Sequence, residues 1–153
     1  MKELYDFILK LKDFCICNET KISNICNISM AELKSINAIN CNEEITCTEF
    51  SERLSLSPSR GSRIIDNLVK KGFLIRKVKD CDRRSILLCL TEKGRRIKDE
   101  INQEQKIFED EINSNLSTQE IISLKKGLKI FDKILENNKK GEKNDRKIHI
   151  GCK

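Results

Sequence analysis

The only proline in the chain, Pro58, follows Ser57 and opens a segment that Gly72 closes. A serine N-cap, a proline at the first helical position and a glycine able to turn left-handed at the end bound a helix from both sides. Between them Ile64, Ile65, Leu68 and Val69 fall on one side of a helix, while Ser59, Arg60, Ser62, Arg63, Asp66, Asn67 and Lys70 cover the other. The spacing predicts a helix over 58–71 with one packed face and one face of short hydroxyls, arginine and an amide. Small Ser59, Gly61 and Ser62 near its start would let a partner approach the backbone closely. Upstream, Thr46-Cys-Thr-Glu49 fits a capping box and predicts a short helix ending near Leu54. Leu54 to Ser57 leaves only a tight connector. Downstream, residues 73–78 and 85–90 are β-rich, and the polar Lys79-Asp-Cys-Asp-Arg-Arg84 between them predicts a hairpin turn.

Six glycines, no tryptophan and 5% aromatic residues favour helix elsewhere. Leu4, Phe7, Leu11 and Phe14 form an apolar stripe over 2–15, and the polar stretch 18–28 predicts a break. Residues 30–40 read as a helix. Thr91 caps another, which carries Ile97, Ile101, Phe108 and Ile112. Ser117-Thr-Gln-Glu120 is a second capping box, and Ile121, Leu124, Leu128, Phe131 and Leu135 then follow the 3–4 spacing of a coiled-coil seam. The expected fold is mostly α (α+β): a winged helix-turn-helix with flanking dimerisation helices. Its parts are an N-terminal dimerisation helix and loop (1–28), a DNA-binding domain (29–91), C-terminal dimerisation helices (92–138) and a basic disordered tail (139–153).

The charge points the same way. The net formal charge is +6, yet residues 53–84 hold ten Lys/Arg against three Asp and no Glu. The tail, 139–153, holds six Lys/Arg against two acids, so the remainder is net acidic. A basic segment within an acidic body suggests an anionic polymer, because phosphate neutralisation supplies most non-specific nucleic-acid affinity. Arg, Asn and Ser on an exposed helix suit base edges and phosphates in a major groove, and Arg83 and Arg84 at the hairpin tip suit a neighbouring minor groove. No apolar run approaches the ~20 residues of a membrane span, so a cytoplasmic, membrane-free protein is expected. No phosphate loop or dinucleotide fingerprint is present, and the sole histidine, His149, lies in the tail, so catalysis is not expected.

Four stretches resemble the MarR family of bacterial transcription regulators: Leu54-Ser-Leu-Ser-Pro-Ser-Arg-Gly-Ser-Arg63, Leu68-Val-Lys-Lys-Gly72-Phe-Leu-Ile, Asp80-Cys-Asp-Arg-Arg84 and Leu90-Thr-Glu-Lys-Gly94. The resemblance spans about residues 1–138 and implies a homodimer that reads a pseudo-palindromic double-stranded DNA operator with two recognition helices. It implies a regulator, expected to be a repressor, that answers a small-molecule effector or redox signal. It further implies that Asp82 orients Arg84 while Arg83 lies nearer the wing tip. Arg60 and Gly61 depart from the small polar and branched apolar residues common in that family. The DNA-contacting set is then Ser57, Ser59, Arg60, Ser62, Arg63, Asn67, Lys70, Lys79, Asp82, Arg83 and Arg84.

Eight cysteines remain: Cys15, Cys17, Cys26, Cys41, Cys47, Cys81, Cys89 and Cys152. Without a secretory signal a disulfide framework is not expected, leaving metal binding, thiol sensing or packing. Cys15, Cys17 and Cys26 are the candidate metal ligands, for zinc or an iron–sulfur cluster, provided the first helix ends after Cys17. A cysteine-ligated sensor on the same DNA-binding scaffold is the alternative function.

Overall fold

A computed structural model describes the backbone of residues 2–79 and 82–148 and the side chains of residues 3–78 and 86–136. In chain order the elements are α1 (Lys2–Ile25), α2 (Met30–Asn37), β1 (Ile45–Thr46), α3 (Cys47–Arg53), α4 (Pro58–Lys70), β2 (Leu74–Lys79), β3 (Asp82–Leu90), α5 (Glu92–Ser114) and α6 (Thr118–Ile148). The chain divides into two units, Met1–Phe108 and Glu109–Lys153.

Local hydrogen bonds set most boundaries in the first unit. Thr46 Oγ1 accepts the Glu49 N–H (3.1 Å) and a Glu49 carboxylate oxygen accepts the Thr46 N–H (2.7 Å), the expected capping box. Ser29 and Glu32 form the same reciprocal pair at the start of α2. Three helices close with one motif. The N–H of Ile28 reaches the Ser23 carbonyl, that of Leu56 the Ser51 carbonyl, and that of Phe73 the Leu68 carbonyl. The residue before each, Asn27, Ser55 or Gly72, has a positive φ, as this type of helix end requires.

The core lies where α2, α3, α4 and the sheet meet. Phe50, Ile36, Ile39, Ile65, Leu68 and Leu88 are fully buried there, and Ile22 of α1 and Ile101 of α5 join them. The sheet is antiparallel in the order β1-β3-β2, with Ile45 opposite Leu88 and Leu74 opposite Leu90. Helix–turn–helix followed by a β-hairpin is the winged helix-turn-helix predicted above.

Two expectations need correction, and one element is additional. The break placed in 18–28 comes only at its end, because α1 continues to Ile25 and the chain turns at Asn27. Its hydroxyls turn back onto the helix: Thr20 donates to the Ile16 carbonyl (2.8 Å) and Ser23 to that of Thr20 (3.0 Å). Ile22 and Cys26 meanwhile pack into the core, so burial overrides the turn-forming tendency of these polar residues. The expected disordered tail 139–153 is helical to Ile148. It lacks proline, and six of residues 139–148 are Lys, Glu or Arg, straight chains that lose little freedom in a helix; residues 149–153, with His149 and Cys152, lie outside the described residues. Finally, β1 was not foreseen. The apolar stripes of α1 (Leu4, Phe7, Leu11, Phe14) and of α6 (Leu124, Leu128, Phe131, Leu135) are each 40% or more exposed.

Candidate nucleic-acid interface

α3 and α4 cross at Gly61. A Cβ added there would lie 2.0 Å from Ser51 Oγ and 3.0 Å from Ser51 Cβ. Gly61 is therefore buried against α3 and does not open the helix to a partner, correcting its sequence-based role. Ser57 accepts the Arg60 N–H (3.4 Å) and Pro58 occupies the first turn. Gly61, Ile65 and Leu68 point inward, with Ile64 and Val69 packed beside them. The opposite side of α4 and its N-cap carry Ser57, Ser59, Arg60, Ser62, Arg63, Asn67 and Lys70, all exposed. The structure thus gathers seven of the candidate residues on one surface. Lys79, Asp82, Arg83 and Arg84 of the wing, and Cys81, lie outside the residues whose side chains are described.

The basic residues of 53–78 separate into two sets. Arg53 pairs with Glu43 (2.5 Å), Lys71 with Glu32 (2.5 Å), Arg76 with Asp66 (2.5 Å) and Lys77 with Glu44 (2.7 Å). Arg76–Asp66 ties β2 to α4 and Lys71–Glu32 the end of α4 to α2, while Arg53–Glu43 and Lys77–Glu44 tie α3 and β2 to the loop before β1. Among the described residues Arg60, Arg63 and Lys70 make no ion pair, and all three lie on the exposed side of α4. Neutralised charge braces the fold, and the unneutralised charge forms a row on one helix face.

Glu32 is the feature that the sequence reading missed, although Ser29-x-x-Glu32 is itself a capping-box signal. It is 2% exposed. Burial pushes its carboxyl up, but the ammonium of Lys71 and the Ser29 N–H outweigh this and hold it below the usual carboxylate range. Its Oε1 also accepts from Asn67 Nδ2 at 3.4 Å.

The cysteines are not brought together. Cys15 and Cys17 are exposed on an unbroken helix, where residues two apart point some 200° apart. Cys26 is buried eleven residues beyond Cys15, about 16 Å along the axis. Burial, with Glu100 and Glu104 nearby, pushes the Cys26 thiol up, away from the thiolate that a metal needs. Among the described residues no group of three His, Cys, Asp or Glu is placed to hold a metal ion. Nor is any helix long and apolar enough to cross a membrane among them.

The model of the MarR family matches residues 28–86. The multiple antibiotic resistance protein MarR of Escherichia coli K12 is 31% identical over 104 residues, 67% of this chain and 72% of that protein. The transcriptional repressor MprA of the same organism is 38% identical over 79 residues, 52% of this chain and 45% of that protein. Among solved structures, Streptococcus pneumoniae FabT in complex with DNA superimposes with a TM-score of 0.80 at 24% identity, over 89% of this chain and 97% of that one. The chain belongs to the MarR family of winged helix-turn-helix transcriptional regulators.

Proposed function

We propose that this regulator is a repressor that binds a pseudo-palindromic operator as a homodimer, with α4 in the major groove and the wing against an adjacent minor groove. The observation that carries it is the row of Arg60, Arg63 and Lys70, cations without an ion pair among the described residues, on the exposed side of α4. In this reading Ser57, Ser59, Ser62 and Asn67 supply hydroxyl and amide contacts beside that row. Lys79, Asp82, Arg83 and Arg84 supply the wing. Residues 29–91 form the DNA-binding domain, and residues 1–28 and 92–138 the dimerisation segments. The exposed apolar stripes of α1 and α6 favour a second copy as their cover, since such stripes on soluble helices are usually buried. The repressor assignment extends to this chain what is stated of MprA. A small-molecule effector or thiol oxidation would act by changing the separation of the two α4 helices, which must lie about 34–36 Å apart to meet successive half-sites.

The test is titration of a selected operator with the parent chain and with Arg60→Ala, Arg63→Ala and Arg84→Ala over a range of salt. A lost phosphate contact should lower the salt slope by about one, and a lost base contact should cost about 1–3 kcal/mol. Titrations unchanged in all three variants, with circular dichroism unaltered, would refute the surface.

A further inference from the structure

We infer that Glu32 fixes the orientation of the Asn67 amide, and so sets which hydrogen-bonding edge α4 offers to a base pair. Asn67 is exposed on the same side of α4 as Arg60, Arg63 and Lys70. Its side chain meets Glu32 Oε1 at 3.4 Å, from beneath that face. Oε1 is also the atom that Lys71 Nζ approaches at 2.5 Å, while Oε2 accepts the Ser29 N–H at 2.8 Å. A carboxylate held between an ammonium and a backbone N–H only accepts hydrogen bonds. The amide atom turned toward it must therefore be the NH2 group, and Oδ1 must be turned away. An asparagine alone on a helix can flip and offer either edge, whereas this one is restricted.

The group left facing outward is the acceptor Oδ1, beside the one remaining N–H of the amide. In the major groove, cytosine presents its N4 amine and adenine its N6 amine, while guanine O6 and thymine O4 are acceptors. Asn67 thus selects a base carrying an exocyclic amine at one position in each half-site. Glu32 touches no DNA in this scheme and is a positioning residue. The assignment rests on α4 being the DNA face.

The experiment is enrichment of duplexes from a randomised pool by the full chain and by Glu32→Gln, Asn67→Ala and Arg63→Ala. The parent should prefer A or C about tenfold over G or T at one position of each half-site. Asn67→Ala should lose that preference alone. In Glu32→Gln, the new amide can donate to Asn67 as well as accept, so the preference should spread to all four bases there while the rest of the site is retained. A merely structural role for Glu32 would weaken binding without altering the profile at a single position. A Glu32→Gln profile identical to that of the parent would overturn the inference. If circular dichroism shows that Glu32→Gln does not fold, an Asn67→Ala profile identical to the parent would do the same. Arg63→Ala separates the two levels. Should Arg63→Ala lose affinity while the Asn67 profile is unchanged, only the Glu32 assignment fails. Should the parent enrich no sequence, the DNA face fails with it.

Discussion

Gly61→Ala tests the packing that places α4. A methyl there would meet Ser51 Oγ at 2.0 Å and Ser51 Cβ at 3.0 Å. The Oγ contact is impossible without a new Ser51 rotamer, which would break its bond to the Cys47 carbonyl (2.9 Å) within a buried site. Clearing the Cβ as well requires α3 and α4 to part by a few tenths of an ångström. Overpacking of this kind costs about 1–3 kcal/mol. Replacing glycine in a helix interior returns about 1 kcal/mol. With two atoms in conflict the upper part of the range applies, so the variant should be destabilised by about 1–2 kcal/mol. For a chain of this size that lowers Tm by about 2–8 °C. Thermal and urea melts of the single variants and of Gly61→Ala with Ser51→Ala complete a double-mutant cycle. Removing the hydroxyl should recover part of the loss, with a coupling of at least about 0.5 kcal/mol. A Gly61→Ala protein that melts at or above the parent would refute the close crossing.

Acid should act through Glu43. The Arg53 guanidinium and the Asn40 N–H lower its carboxyl from an ordinary 4.5 to about 2. A carboxylate whose folded pKa is depressed contributes stability above its unfolded pKa and loses it as pH falls through the folded one. The Tm difference between the parent and Glu43→Gln should therefore hold above pH 4.5 and close between 4.5 and 2; a difference independent of pH would contradict the pairing. Leu128→Lys places a charge in the exposed stripe of α6 and should shift sedimentation from dimer toward monomer or aggregate; a monomeric parent would refute the proposed dimer.

What could be read from the sequence was local. Thr46 with Glu49, Ser57 with Pro58, Gly72, and Ser117 with Glu120 all act within a few residues, and the structure realises each of them. The exposed face of α4 followed from 3.6-residue spacing alone, so every candidate contact on it was legible. What failed was set by partners distant in sequence. β1 is only two residues long and exists because Leu87 and Leu88 of β3 pair with it. The polar residues after Cys17 looked like a break because composition does not reveal that Ile22 and Cys26 face the core. Gly61 looked like an opening toward a partner because the sequence does not tell which neighbour a small residue admits.

The arrangement of ion pairs has a consequence that pair energies alone would hide. Exposed pairs such as Arg76–Asp66 contribute only about 0–1 kcal/mol each, so they add little to stability. Their larger effect is on where positive charge remains. Glu43, Asp66, Glu44 and Glu32 neutralise Arg53, Arg76, Lys77 and Lys71, which lie at the edges of α4 and along the hairpin. Arg60, Arg63 and Lys70 are left in a row that rises about 15 Å along the helix. That matches the scale of a major groove, about 12 Å wide. A uniformly basic domain would attract any polyanion along its whole surface. Among the described residues of 53–78 the other cations are engaged, which concentrates that attraction on the face that also carries Ser59, Ser62 and Asn67. Register is then set by the groups able to distinguish one base pair from another.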